Sequence, residues 1–220
     1  MPSFAEVKAG LAMPLEEAME TQRAVRRLLP DPVDDETVRR LLELAVRAPT
    51  GGNQQGWEFV VVRDPEVKHQ LARLNRQAWA VMKRMYGRTA RNDPKLGRSV
   101  DAVQWQADHF EEVPVIVVAC LRGPRPRFPS IGASSYYGSA YPAIQNLLLA
   151  ARALGLGAAL TTLPVWSVLL ARRTLGLPRN VTPIAAVPLG WPRGRYGPTT
   201  RRPVEEVTHL DRYGNPAFPA

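Results

Sequence analysis

The longest apolar run in this 220-residue chain is VPVIVVACL at Val113–Leu121, nine residues interrupted by Pro114. A bilayer-spanning helix needs about 20 apolar residues, so this run reads as a β-strand and no membrane partner is expected. Around it, strands and helices alternate. WEFVVV, AALTTLP and TPIAAVPLGWP read as three further strands, and four segments carry helical signals. The clearest is DDETVRRLLELAVRAP. Asp34 or Asp35 can cap it, Val38, Leu41, Leu42, Ala45 and Val46 recur at helical spacing, and Pro49 ends it. Asp64-Pro65-Glu66 opens a second helix. SAYPAIQNLLLAARALG is a third, apolar nearly all round and closed by Gly155, and VWSVLLARRTLG is a fourth, closed by Gly176. A short first helix is possible over Leu11, Leu15, Ala18 and Met19. The order lacks a regular βαβ rhythm and a glycine-rich dinucleotide turn. It therefore favours an α+β layer with one mixed sheet, in a single domain without repeats or linkers.

Two stretches resist regular assignment. Residues 75–111 contain Trp79, Met82, Met85, Tyr86 and Trp105 among many basic residues, with a break at Asn92-Asp93-Pro94, and read as a helical excursion or lid. RGPRPRFPSIG reads as a loop, and residues 193–220 as an extended C-terminal tail rich in Pro, Arg and Gly. The single cysteine, Cys120, excludes an internal disulfide, fits a reducing compartment and reads as a buried, inert thiol. With no secretory signal visible, the expected location is cytoplasmic.

The chain is basic, with 29 Lys+Arg against 20 Asp+Glu. The arginines are dispersed and no nucleic-acid motif accompanies them, so a phosphate-bearing cofactor explains the excess better than DNA or RNA. His69, His109 and His209 lack metal-ligand spacing, and the serines sit in no GxSxG elbow. A chain without an acid–base constellation is usually one whose cofactor performs the chemistry, and no catalytic side chain is assigned.

Three polar segments border apolar structure. Gln22-Arg23-Ala24-Val25-Arg26-Arg27 could grip a phosphate or a carbonyl, although alone it reads more readily as a solvated basic turn. Ala48-Pro49-Thr50-Gly51-Gly52-Asn53-Gln54-Gln55 combines glycines that admit close backbone approach with side chains that donate and accept; alone it could be a helix-to-strand loop. Arg201-Arg202-Pro203 puts two further cations in the tail.

Taken in order, the arginine turn, the capped helix, APTGGNQQGWEFVVV, the ARALGLG helix end, VPLGWP and RRPVEEV resemble the nitroreductase family of FMN-dependent oxidoreductases, from about Glu17 to Gly214. The resemblance implies an α+β fold, a mixed sheet flanked by helices, in an intertwined homodimer with two FMN sites at the interface. The family's Arg-Arg-Ser-x-Arg falls on Gln22, Arg23, Ala24, Val25 and Arg26. Arg26 then matches the cation facing the flavin pyrimidine edge. Gln22 replaces an arginine directed at the phosphate, which leaves either weaker FMN retention or a load carried by Arg23 and Arg201. Arg201 matches the C-terminal phosphate arginine, with Arg202 beside it as the alternative. Pro49, Thr50, Gly51, Asn53 and Gln55 match the loop that reaches the partner's flavin, with Gly56 in place of the usual proline. Thr161, Thr162 and Leu163 match the strand end beside flavin N5.

The implied activity is hydride transfer from NADH or NADPH, through FMN, to a nitroaromatic, quinone or enone by a ping-pong mechanism. A deiodinase-like reductive dehalogenase is the second reading, because TTLP is similar to that branch. Its lid, however, would want a glutamate, a tyrosine and a lysine, and residues 76–100 contain Lys83 and Tyr86 but no glutamate. A non-catalytic flavin-binding protein is the third.

Overall fold

In a computed structural model, residues 10–126 and 130–218 are described. The start of the leader, the middle of the RGPRPRFPSIG loop and the last two tail residues lie outside them. The described helices are α1 (Leu15–Thr21), α2 (Asp35–Ala45), α3 (Pro65–Asn92), α4 (Pro94–Asp108), α5 (Ile131–Ala153) and α6 (Val168–Thr174). The strands are β1 (Trp57–Val62), β2 (Val115–Arg122), β3 (Gly157–Ala158) and β4 (Val181–Gly190), in the order β1-β2-β4-β3.

The sheet explains why β2 reads as an unbroken apolar run. Val115, Val117 and Ala119 face a core built with Leu41 and Ala45 of α2 and Ile144, Leu147 and Ala151 of α5. Ile116, Val118 and Cys120 face a second core containing Leu71 and Leu74 of α3 and Phe110. β4 is likewise buried along its whole length. A strand covered on both faces cannot alternate apolar with polar residues. Cys120 lies in the second core, where burial, with help from the nearby charge of Glu58, pushes its thiol up to about 12.

The α+β class holds, but the expected mixed sheet is corrected: among the described residues every strand pairing is antiparallel. The cause is the connection after β1. The chain leaves at Val62, which pairs with Ile116, so it returns to the same end of the sheet from which it departed. α3 and α4 are the outward and inward legs of that excursion. Asp93 ends one leg and caps the other, its carboxylate accepting from Lys95 N (2.8 Å) and Leu96 N (3.2 Å).

Three boundaries also differ from expectation. α5 begins eight residues before Ser139, capped by Ser130, so Pro142 lies inside it and not in its first turn. The AALTTLP strand is cut to Gly157–Ala158 and an isolated bridge from Thr161 to Ala186, because Leu163–Val165 turns into a short 3-10 helix. The tail, otherwise irregular, makes one 3-10 turn at Val204–Val207.

Candidate functional site

The arginine turn is held to the sheet by its backbone. Val25 N–H donates to Ala158 O (2.9 Å), Leu29 N–H to Trp191 O (2.8 Å), and Arg193 N–H to Arg27 O (3.0 Å). Glycine gives it room. A Cβ on Gly157 would lie 2.5 Å from Leu28 Cδ2 and 2.8 Å from Val25 Cγ1. The packing of Val25 and Leu28 against Gly157 anchors the turn and fixes where Arg26 emerges.

Arg26 opens into a cavity of about 220 Å³ together with Leu160, Thr161, Thr162 and Leu163 from the segment that follows β3. The opposite wall comes from the excursion: Trp79 and Met82 on α3, Val103 and Gln106 on α4. Arg26 is half-buried and donates to no acceptor among the described residues; burial lowers its guanidinium from the ordinary arginine range. Gln106 is 3% exposed, and its Nε2 is buried without a partner. The strand end is rigid, with Thr161 N–H bonded to Ala186 O (2.9 Å) and Leu163 N–H to Thr161 Oγ1 (3.3 Å). The buried Gln106 Nε2, which left alone costs about 1–3 kcal/mol, and the half-buried Arg26 guanidinium in the same cavity suit a ligand with an acceptor-rich edge. The pyrimidine edge of a flavin has that chemistry, so the residues present fit the cofactor.

A second cavity, of about 530 Å³, shares Met82, Thr162 and Leu163 with the first and adds Val81, Tyr137, Val165, Trp166 and Ile184. It is mainly apolar, sized for a small aromatic or aliphatic molecule. Arg26 also lines a wider cleft of about 810 Å³, together with Arg23 and Ala24.

The remaining sequence candidates lie elsewhere in the single chain. Gln22 lines none of these three cavities. The Pro49–Gln55 loop packs on α5: Gly51 N–H donates to Ser139 Oγ (3.2 Å), and a Cβ on Gly51 would meet Ser135 Oγ at 2.6 Å. Gly52, Asn53 and Gln55 all have left-handed φ (58°, 52° and 50°), and Thr50 Oγ1 accepts from Gln55 N at 3.0 Å. Such backbone costs about 1–3 kcal/mol per residue for side chains with a Cβ, and it is typical of ligand clamps. Arg201 and Arg202 are exposed in the tail, and among the described residues Arg201 donates only to Thr200 O (2.9 Å).

Trp79, Met82, Val103 and Gln106 were not anticipated. The one available signal was Gln106 itself, a polar residue three positions after Val103 and four after Ala102, and so on the same side of its helix as those apolar residues.

The model of the nitroreductase family matches residues 19–191. Over 84% of its length the chain is 29% identical to an NADH dehydrogenase of Thermus thermophilus, 90% of which is covered. Over 84% of its length it is also 26% identical to iodotyrosine deiodinase 1 of Rattus norvegicus, of which it spans only 65%. A solved nitroreductase from Desulfovibrio desulfuricans in complex with FMN superposes with a TM-score of 0.66 at 27% identity, covering 91% of this chain and 98% of that one.

Proposed function

From the premise that this chain belongs to the nitroreductase family, we propose that it is an FMN-dependent oxidoreductase taking electrons from NADH or NADPH to a small organic acceptor. The observation that carries this reading is the cavity joining Arg26, without an acceptor among the described residues, to the Thr161–Leu163 segment. When bound, FMN supplies the redox chemistry, so that NAD(P)H, a proton and the acceptor become NAD(P)⁺ and the acceptor reduced by two electrons. The chain's residues set the electrostatics. Arg26 offers a fixed cation to the pyrimidine edge, where negative charge gathers on reduction. The Thr162 backbone N–H, between two amides already engaged, would be the donor available to the bound flavin. Preorganised donors favour the reduced, more anionic state, because they need no reorganisation when the charge arrives.

The acceptor enters the apolar cavity beside Thr162 and Leu163. Nitroaromatics, quinones and enones suit its lining. Because one cavity serves donor and acceptor in turn, double-reciprocal plots for NAD(P)H against a quinone should be parallel. Intersecting lines would contradict a single shared site. The deiodinase-like reading draws support from the rat relative and from Tyr86, 41% exposed on α3. Against it, Lys83 Nζ is engaged by Gln104 Oε1 at 2.9 Å and the segment offers no glutamate.

The active form is a homodimer. Ile131 at 92% exposure, Leu15, Met19, Trp166 and the tail's Tyr213 at 93% leave large apolar side chains in water, and proteins bury such groups against partners. The strained Pro49–Gln55 loop lines none of the cavities at Arg26 of its own chain, as expected of a loop that serves a partner's site. Analytical ultracentrifugation of flavin-loaded protein should give a dimer; a flavin-loaded monomer would overturn the shared-site reading.

A further inference from the structure

The apolar cavity beside Thr162 and Leu163 has one charged residue in its lining, Arg125, and no acidic one. Most of the wall is hydrocarbon or aromatic: Val81 and Met82 on α3, Val165 and Trp166 at the 3-10 turn, and Ile184 on β4. A neutral quinone or nitroarene would use that wall alone and leave the guanidinium idle.

The cavity has two distinct ends. Its floor is Thr182, Pro183 and Ile184, near the start of β4. On one side of that floor Val181 pairs with Arg122 and Gly123 N–H donates to Asn180 O (2.8 Å), so Arg125 stands past the first residue of the strand. On the other side Ala186 is bridged to Thr161, next to Thr162. At the usual rise of roughly 3.3 Å per residue, Val181 and Ala186 are about 16 Å apart. A ring lying over the floor can therefore present one substituent to Thr162 and the opposite one to the Arg125 side chain.

Arg125 is held for that task. Its Nε–H donates to Tyr137 Oη (3.1 Å). Tyr136 braces Tyr137 edge-on, with ring centres 5.3 Å apart, and its own hydroxyl donates to Leu121 O (3.2 Å). Among the described residues the two terminal nitrogens of Arg125 have no acceptor and the side chain is in no ion pair. Other arginines do find carboxylates, Arg122 with Glu58 and Arg63 with Asp35. A guanidinium fixed through Nε presents its terminal pair as a planar fork, the shape that a carboxylate matches with two bonds. The Tyr137 hydroxyl, accepting from Nε, keeps its own proton to donate.

We propose that the acceptor is a small aromatic acid, its ring in the apolar cavity, the group to be reduced beside Thr162 and its carboxylate on Arg125 and Tyr137. The inference rests on the flavin reading above and names the acceptor class for it. With a nitro acid, NAD(P)H, a proton and the nitro group become NAD(P)⁺, a nitroso group and water, and the carboxylate is unchanged.

The test compares 4-nitrobenzoate with 4-nitrobenzamide, which has its shape without its charge, on full-length flavin-loaded protein. Calorimetry without reductant reads binding, and initial rates of NAD(P)H oxidation read kcat/KM. Wild-type protein should bind the acid more tightly than the amide. Arg125→Gln should lower the acid-to-amide ratio in both measurements by roughly three- to tenfold, less than a buried ion pair would give, because Arg125 is exposed. Arg125→Lys, which keeps the charge without the fork, should restore part of the ratio. Unchanged use of the amide shows that the variants fold and hold flavin. Lys95→Gln, the same charge change at an exposed residue that lines none of the three cavities, should leave the ratio at its wild-type value. A ratio that does not move in Arg125→Gln, a joint fall of acid and amide, or a wild type that binds the amide more tightly overturns the inference. Wild-type protein that turns over neither probe also overturns it, and the flavin then separates the two levels. Flavin bleached anaerobically by NAD(P)H leaves the oxidoreductase reading standing; flavin that stays oxidised takes that reading down as well.

Discussion

Replacing Arg26 by glutamine separates a ligand-facing cation from a structural one, because the two roles predict opposite signs. Arg26 is half-buried, loses solvation in the fold and finds no acceptor among the described residues. In flavin-free protein its removal therefore breaks no contact and relieves a desolvation cost, so the thermal midpoint should stay level or rise. Against FMN the change should be costly. A hydrogen bond to a charged group is worth about 1.5–3 kcal/mol, or roughly ten- to a hundredfold in Kd. If the interaction is made mainly with the reduced state, the same energy appears in the potential. At about 30 mV per 1.4 kcal/mol for a two-electron couple, the midpoint should fall by roughly 30–65 mV. Differential scanning fluorimetry, FMN titration and a dye-equilibrated potential measurement read these three quantities. A loss of several degrees in flavin-free protein, with FMN affinity and potential unchanged, would show that Arg26 serves the fold and would refute the reasoning.

Gly157→Ala should cost about 1–3 kcal/mol in urea unfolding, as overpacking does, and weaken FMN by displacing the arginine turn through Leu28 and Val25. An unchanged midpoint would mean that the turn is not seated on Gly157. Gln106→Leu should raise the stability of flavin-free protein by up to about 1 kcal/mol, since it removes a buried donor with no acceptor; destabilisation would reveal a partner for that amide. The Cys120 thiol, pushed up to about 12 by burial, should resist a disulfide reagent at pH 8 until the chain is unfolded. Rapid labelling of folded protein would contradict the two-sided cover over β2.

Much of this was legible in the chain's own pattern. The Asp34 cap, the Asp93 break and the left-handed Gly155 and Gly176 follow from local chemistry that tertiary contacts do not override. The seating of Arg26 against Thr161–Leu163 followed from family resemblance and not from spacing, since 135 residues separate Arg26 from Thr161. What stayed hidden has a common cause. The strand after Gly157 was read as longer than it is, because AALTTLP has β-forming residues but Pro164 lies within a 3-10 turn. Trp79, Met82 and Gln106 were obscured because nothing local in the sequence shows that the excursion's helices pack beside the arginine turn. Which face turns inward is decided only when α3 and α4 pack on the sheet. The apolar cavity was invisible for the same reason, being assembled from separate stretches of sequence.

The central claim is that electrons pass from a nicotinamide cofactor to an organic acceptor through FMN held at Arg26. Anaerobic mixing tests it most directly. Flavin-loaded protein mixed with NADPH or NADH should lose its oxidised flavin absorbance before any acceptor is present, and a quinone or nitroarene added afterwards should restore it. A flavin that stays oxidised with both nicotinamides, in protein that binds FMN normally, would contradict the claim.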